Sequence, residues 1–166
     1  MKAKCLFKKE ILADEKQLFH LAKYGGKASD MRRILLCGLV NVNASQKCGS
    51  WGTKTPLYSA AGDGRIDLVA MLLDAKADPN KGAEQSGRIS ESPLRTAVYH
   101  NHYGVSKLLL KRGAILNMKR SPLCWLHKKC HAKMVKLLLD YGADLNQHDE
   151  EGCTPLSRAA YHGVQT

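Results

Sequence analysis

Apolar residues recur at helical spacing in three separate stretches: Leu68, Met71 and Leu72; Val105, Leu108 and Leu109; Met134, Leu137 and Leu138. Lysine or aspartate takes the other face, the pattern of a helix with one side in a core and one in water. Each stretch closes on an asparagine, Asn80, Asn117 or Asn146, whose amide can bond its own loop backbone. Gly113 and Gly142 stand where such a helix stops. Ahead of these helices lie shorter runs opened by Ser or Thr, Pro and Leu: TPLYSAAGDG (55–64), SPLRTAVYHN (92–101), SPLCWLHKKC (121–130) and TPLSRAAYHG (154–163). A hydroxyl directly before Pro marks a helix start. Its oxygen accepts from an unpaired backbone N–H, and Pro at the first helical position forfeits no bond of its own. Eight residues after each Pro come Gly64, Asn101, Cys130 and Gly163, where the chain must reverse between two antiparallel helices.

From Pro56, Pro93 and Pro122 to Asn80, Asn117 and Asn146 the distance is 24 residues each time. A fixed period of this kind predicts stacked units, none of which can cover its own apolar face. The helices keep this register while the connections absorb insertions: 13 residues from Asn43 to Pro56 and from Asn80 to Pro93, five from Asn117 to Pro122, nine from Asn146 to Pro155.

On the Pro-Leu starts, and on KMVKLLLDYGADLNQHDEEGCTPL (133–156) in particular, the chain resembles the ankyrin repeat. The resemblance implies an all-α solenoid of stacked antiparallel helix pairs with β-hairpin or loop fingers between them. Residues 1–16 are expected to form an N-terminal extension with a short helix over 4–12. Residues 17–166 are expected to form the repeat domain, in units of about 17–45, 46–82, 83–118, 119–147 and 148–166. The first unit, LFHLAKYGG with DMRRILLCGLVNVN, lacks the Pro and reads as a cap; the fifth stops after its first helix, from which a fragment or a truncated gene product, with any effector domain missing, is expected. Where the family has His after Pro-Leu, this chain has Tyr58, Arg95, Cys124 and Ser157, with only His20 retaining it. The bonds that tie neighbouring Thr residues in the family are therefore expected to be altered.

Composition narrows the chemistry. At 166 residues, 44% hydrophobic and 25% charged, the chain is an ordinary globular mixture. Its opening residues carry neither the apolar segment of a secretory signal nor the length of a membrane span. A cytoplasmic or nuclear protein with its six cysteines mostly as thiols is expected. The formal charge is +11, and nine basic residues with no acid fall between Val105 and Leu139. Such a block favours anionic partners. CWLHKKCH (124–131) sets two cysteines beside two histidines, but the repeat register explains their spacing without a closed tetrahedral ligand set. No metal site, cofactor or catalytic residue is expected, since no phosphate loop, paired-carboxylate motif or complete nucleophile constellation is present.

The resemblance also implies where a partner binds. In the family the concave surface is built from finger tips and first helices, at the positions two before each Pro and six and seven after it. Those positions give Lys54, Gly62 and Asp63; Glu91, Tyr99 and His100; Arg120, Lys128 and Lys129; Cys153, Tyr161 and His162. Tyr24 joins them from the first unit, and Trp51 from the first long finger. The expected function is a non-enzymatic, monomeric protein-interaction module or scaffold whose basic, aromatic surface binds an acidic or phosphorylated partner segment. Two alternatives remain: the substrate-recognition part of a ubiquitin-ligase adaptor lacking its SOCS-box-like domain, and a nucleic-acid binder using Lys107 to Lys136. The second has no recognised nucleic-acid motif behind it.

Overall fold

The computed structural model describes residues 2–36, 38–49, 52–84, 91–116, 132–148, 151–154 and 157, with residues 2–12 as backbone. Among these, helices alternate with two-residue strands in the order α1 (Lys2–Tyr24), α2 (Ala28–Leu36), β1 (Gln46–Lys47), β2 (Thr53–Lys54), α3 (Pro56–Gly62), α4 (Ile66–Asp74), β3 (Ala83–Glu84), α5 (Pro93–Tyr99), α6 (Tyr103–Lys111) and α7 (Ala132–Asp140). The separate short helix expected over 4–12 is instead part of one continuous α1. No Pro or Gly interrupts KAKCLFKKEILADEKQLFHLAKY, and the junction residues are good helix formers.

The Pro-Leu starts behave as the sequence predicts. Thr55 Oγ1 accepts from the Tyr58 backbone N–H at 3.2 Å, and Ser92 Oγ from that of Arg95 at 3.2 Å. Thr154 Oγ1 does the same for Ser157 at 3.2 Å. Between the paired helices, Gly64 (φ 72°) and Asn101 (φ 59°) take the left-handed backbone that reverses the chain. Gly25 (φ 83°) makes the equivalent turn after α1.

First helices pack in one row, α1 on α3 and α3 on α5, and second helices in another, α2 on α4, α4 on α6 and α6 on α7. Ala60, Ala61 and Ala97 are fully buried between them, small side chains that let the first helices approach closely. Leu18, Leu57 and Leu94 repeat one buried position along the first row, and Leu72, Leu109 and Leu138 another along the second. All of these belong to one continuous apolar core, which is how a stack of units too thin to fold singly is held together. On α4 and α6 burial is wider than the spacing suggests: Val69 and Leu73, and in register Ser106 and Leu110, are buried too. Met71 and Leu108 are only partly so.

The fingers are not independent. β1 pairs with β2 inside one finger, and β2 pairs antiparallel with β3 of the next, giving a three-stranded sheet in the order β1-β2-β3. Ala83 and Glu91 extend it through reciprocal backbone bonds of 2.8 and 2.9 Å. Gly82 is required there, because a Cβ would overlap the Glu91 backbone.

The closing asparagines also reach further than their own loops. Asn43 Oδ1 accepts from the Asp78 backbone N–H at 2.9 Å, and Asn80 Oδ1 from that of Ile115 at 2.7 Å. Each ties one unit to the next. The bonds within a loop come instead from Asn41, Asp78 and Asp144, whose side chains accept from residues 43, 80 and 146. A second set of ties joins the turns: Arg65 donates to the carbonyls of Leu21 (3.0 Å) and Gly26 (3.4 Å), and the His102 ring Nε2 lies 2.9 Å from the carbonyl of Gly62. On the second helices Arg112 pairs with Asp74 at 2.7 Å.

Candidate partner-binding surface

The capped helix starts fix which side chains reach the finger side. Residues two before and two after each Pro lie four apart across the helix start, so they meet above it. In the second unit this pair is Lys54 and Tyr58, with the Lys54 ammonium 5.4 Å from the centre of the Tyr58 ring. In the third it is Glu91 and Arg95, joined by a salt bridge of 3.0 Å. The two pairs are linked across the unit boundary: the Tyr58 hydroxyl donates to Glu91 Oε2 at 2.7 Å. Both carboxylate oxygens of Glu91 are therefore engaged, Oε1 by a guanidinium and Oε2 by a phenol.

Burial pushes the Tyr58 phenol well above the usual tyrosine range, and its bond to Glu91 adds to the shift. Both causes disfavour a phenolate: there is little water to solvate it, and a carboxylate lies beside it. Tyr58 thus stays a hydrogen-bond donor across the physiological range. Thr55 Oγ1, meanwhile, donates to the carbonyl of Lys81 at 2.9 Å. Together these bonds give the altered inter-unit network that the loss of the family's His at position 58 implies.

Six and seven residues after Pro, the described positions are open. Tyr99 is 52% exposed and sets its ring edge-on to His100 at 5.1 Å. Asp63 is exposed and Gly62 half-buried, its missing side chain leaving room for Thr96, whose Oγ1 would lie 3.0 Å from a Cβ. At the first unit Tyr24 is 65% exposed, with the His20 ring at 4.8 Å and the Lys23 ammonium 4.7 Å from its ring centre. The contact with Tyr24 is also the main cause of a raised Lys23 pKa. The turn at Gly25 aligns with that at Gly64, so Phe19 stands opposite Tyr58 and His20 opposite Ser59. His20 does not hold the family's histidine position, as the sequence suggests, because the absence of Pro in the first unit removes the landmark that sets the count.

Lys54 lies on β2 and Glu91 beside β3, at the starts of the first helices, while Tyr24, Asp63, Tyr99 and His100 lie at the C-terminal ends of those helices. Trp51, Arg120, Lys128, Lys129, Tyr161 and His162 lie outside the described residues, as does the whole of CWLHKKCH. Among the described residues no group of three or more His, Cys, Asp or Glu could hold a metal ion. None of the described helices is long and apolar enough to cross a membrane. Tyr58 and Arg95 are the functional candidates that sequence reasoning passes over. Their signal is present but indirect: each stands four residues after a finger position.

A family model described as ankyrin repeats (3 copies) matches residues 18–120 and 94–166. Similar curated proteins include the tyrosine-protein kinase HTK16 of Hydra vulgaris, 31% identical over 144 residues. An ankyrin repeat and KH domain-containing protein of Caenorhabditis briggsae is 30% identical over 149 residues. These alignments cover 82% and 86% of this chain but only 18% and 5% of the relatives. SH3 and multiple ankyrin repeat domains protein 1 of Homo sapiens is 35% identical over 105 residues, 60% of this chain and 5% of that protein.

Proposed function

Because the chain belongs to the ankyrin repeat family, we propose that it is a non-enzymatic protein-interaction module that binds an acidic or phosphorylated segment of a protein partner along its finger side. The observation that carries this reading is the row of exposed or half-exposed Tyr24, Lys54, Tyr99 and His100 on finger tips and first helices. Aromatic rings there offer contact area with a polar end, and the Lys54 ammonium favours an anionic ligand. The chain's charge of +11 agrees in sign. Such a module works as a monomer in the cytoplasm or nucleus.

Fluorescence anisotropy with a labelled acidic peptide tests it. Tyr99→Ala is expected to weaken binding about tenfold, the loss of one hot-spot aromatic, without lowering thermal stability. Unchanged affinity would remove Tyr99 from the site, and no binding by the parent protein would remove the reading.

A nucleic-acid reading has one observation in its favour: Lys107 and Lys111 on α6, and Lys133 and Lys136 on α7, are all exposed. A gel shift whose affinity falls linearly with the logarithm of salt supports it; no shift near physiological salt disposes of it.

A further inference from the structure

Glu91 is one of two acids, with Asp63, among the described residues of this surface, and its surroundings set it apart. Its carboxylate is held by the Arg95 guanidinium at 3.0 Å and the Tyr58 hydroxyl at 2.7 Å, with the Lys54 ammonium against the same tyrosine ring. A guanidinium and a phenol converging on the two oxygens of one carboxylate form a receptor for that group. The donors are packed more deeply than the acid they hold: Tyr58 is 9% exposed and the Arg95 side chain 19%, against 40% for that of Glu91. The backbone of Glu91 is fixed separately, by its two bonds to Ala83. Its side chain can therefore rotate into water while the finger and the donors stay in place.

Resting on the function proposed above, we infer that Tyr58, Arg95 and Lys54 form a carboxylate-binding site on the finger side, which Glu91 fills as an internal stand-in until an acidic segment of a protein partner displaces it. The exchange is balanced in charge and hydrogen bonds. One carboxylate leaves the Arg95 and Tyr58 donors and regains water, and another gives up water for the same two donors. Glu91 acts as a gate: weakly acidic segments fail to displace it, while segments with several neighbouring acids also recruit the surrounding cations.

The test is a titration of the full chain with labelled deca-glutamate, comparing the parent with Glu91→Gln, Arg95→Gln, the double variant and Asp63→Asn. Glu91→Gln keeps the shape of the side chain and removes the competing charge. It is expected to tighten binding about fivefold, and the gain is expected to vanish in the Arg95→Gln background, since the two act as one unit. Asp63→Asn, which removes an exposed acid from the same surface, is expected to change affinity less than about twofold, as for a screened surface charge. Equal gains from Glu91→Gln with and without Arg95, or from Asp63→Asn, would reduce the effect to general charge and overturn the gate. Binding by the parent with no gain in Glu91→Gln overturns the gate and leaves the function standing; no binding by any variant overturns both. NMR of the parent supplies a measure independent of variant folding: the Arg95 side-chain and Tyr58 ring signals are expected to move on saturation while the Ala83 amide stays. Static Arg95 and Tyr58 signals at saturation would contradict displacement.

Discussion

A phenol at position 58 reaches a carboxylate across a unit boundary, and that one bond has measurable consequences. Tyr58→Phe keeps the ring that packs under Lys54 and removes only the donor to Glu91. It is expected to cost about 1–2 kcal/mol in urea denaturation, the value of a hydrogen bond to a charged but partly exposed acceptor. The same variant changes the response to alkali. The Tyr58 pKa is raised in the folded state, so its contribution is fully present below the ordinary value of 10.0 and is lost as pH rises above it, where the unfolded phenol ionises first. The parent should therefore lose up to about 1.4 kcal/mol per pH unit more than Tyr58→Phe above that point, as linkage requires for one proton. Identical alkaline slopes would show the phenol to be unperturbed. Tyr58 was not directly legible as a site residue, because the acid it binds lies 33 positions away. Periodicity reports which face a residue occupies, and says nothing about how far its side chain reaches.

At the scale of the element, the helices and their starts were legible and their ties were not. Hydroxyl-Pro starts and left-handed turns follow from local chemistry, so the sequence locates α3 to α6 closely. Sequence alone suggests bonds within its own loop for Asn80, yet its side chain accepts a backbone N–H from the following unit, as does that of Asn43. Asn80→Ala is expected to cost about 0.5–1 kcal/mol, since the exposed Ile115 N–H exchanges its side-chain acceptor for water. Asn43→Ala is expected to couple to it by about 0.5 kcal/mol or more, because Asp78, whose N–H donates to Asn43, also accepts from the Asn80 N–H. A neutral Asn80→Ala in equilibrium unfolding would return the residue to a purely local role. Helical spacing likewise identified one buried stripe on α6 and missed Ser106, whose hydroxyl is buried among the described residues without a hydrogen-bond partner. Val69 holds the equivalent place on α4. Ser106→Ala should therefore stabilise the protein by about 0.5–1 kcal/mol through loss of a desolvated hydroxyl, read as a higher melting temperature. A lower melting temperature would mean that the hydroxyl has a partner.

For the molecule as a whole, the constant 24-residue spacing was sufficient to establish the stack, since it requires only that every unit bury the same face. Spacing could not show that the fingers join into one sheet, because two-residue strands carry no alternation to detect. Nor could it show that Glu91 is ion-paired within its own unit and hydrogen-bonded by Tyr58 of the unit before. Core, finger sheet and turn ties hold the first helices and the finger strands in fixed register, and binding of an acidic segment along them is the claim on which the functional account depends. Backbone amide NMR of the full chain, titrated with deca-glutamate, tests it most directly. The account predicts shifts concentrated at Tyr24, Lys54, Arg95, Tyr99 and His100, with α4 and the outer face of α6 unchanged. Shifts confined to Lys107, Lys111, Lys133 and Lys136 on the second helices would contradict it.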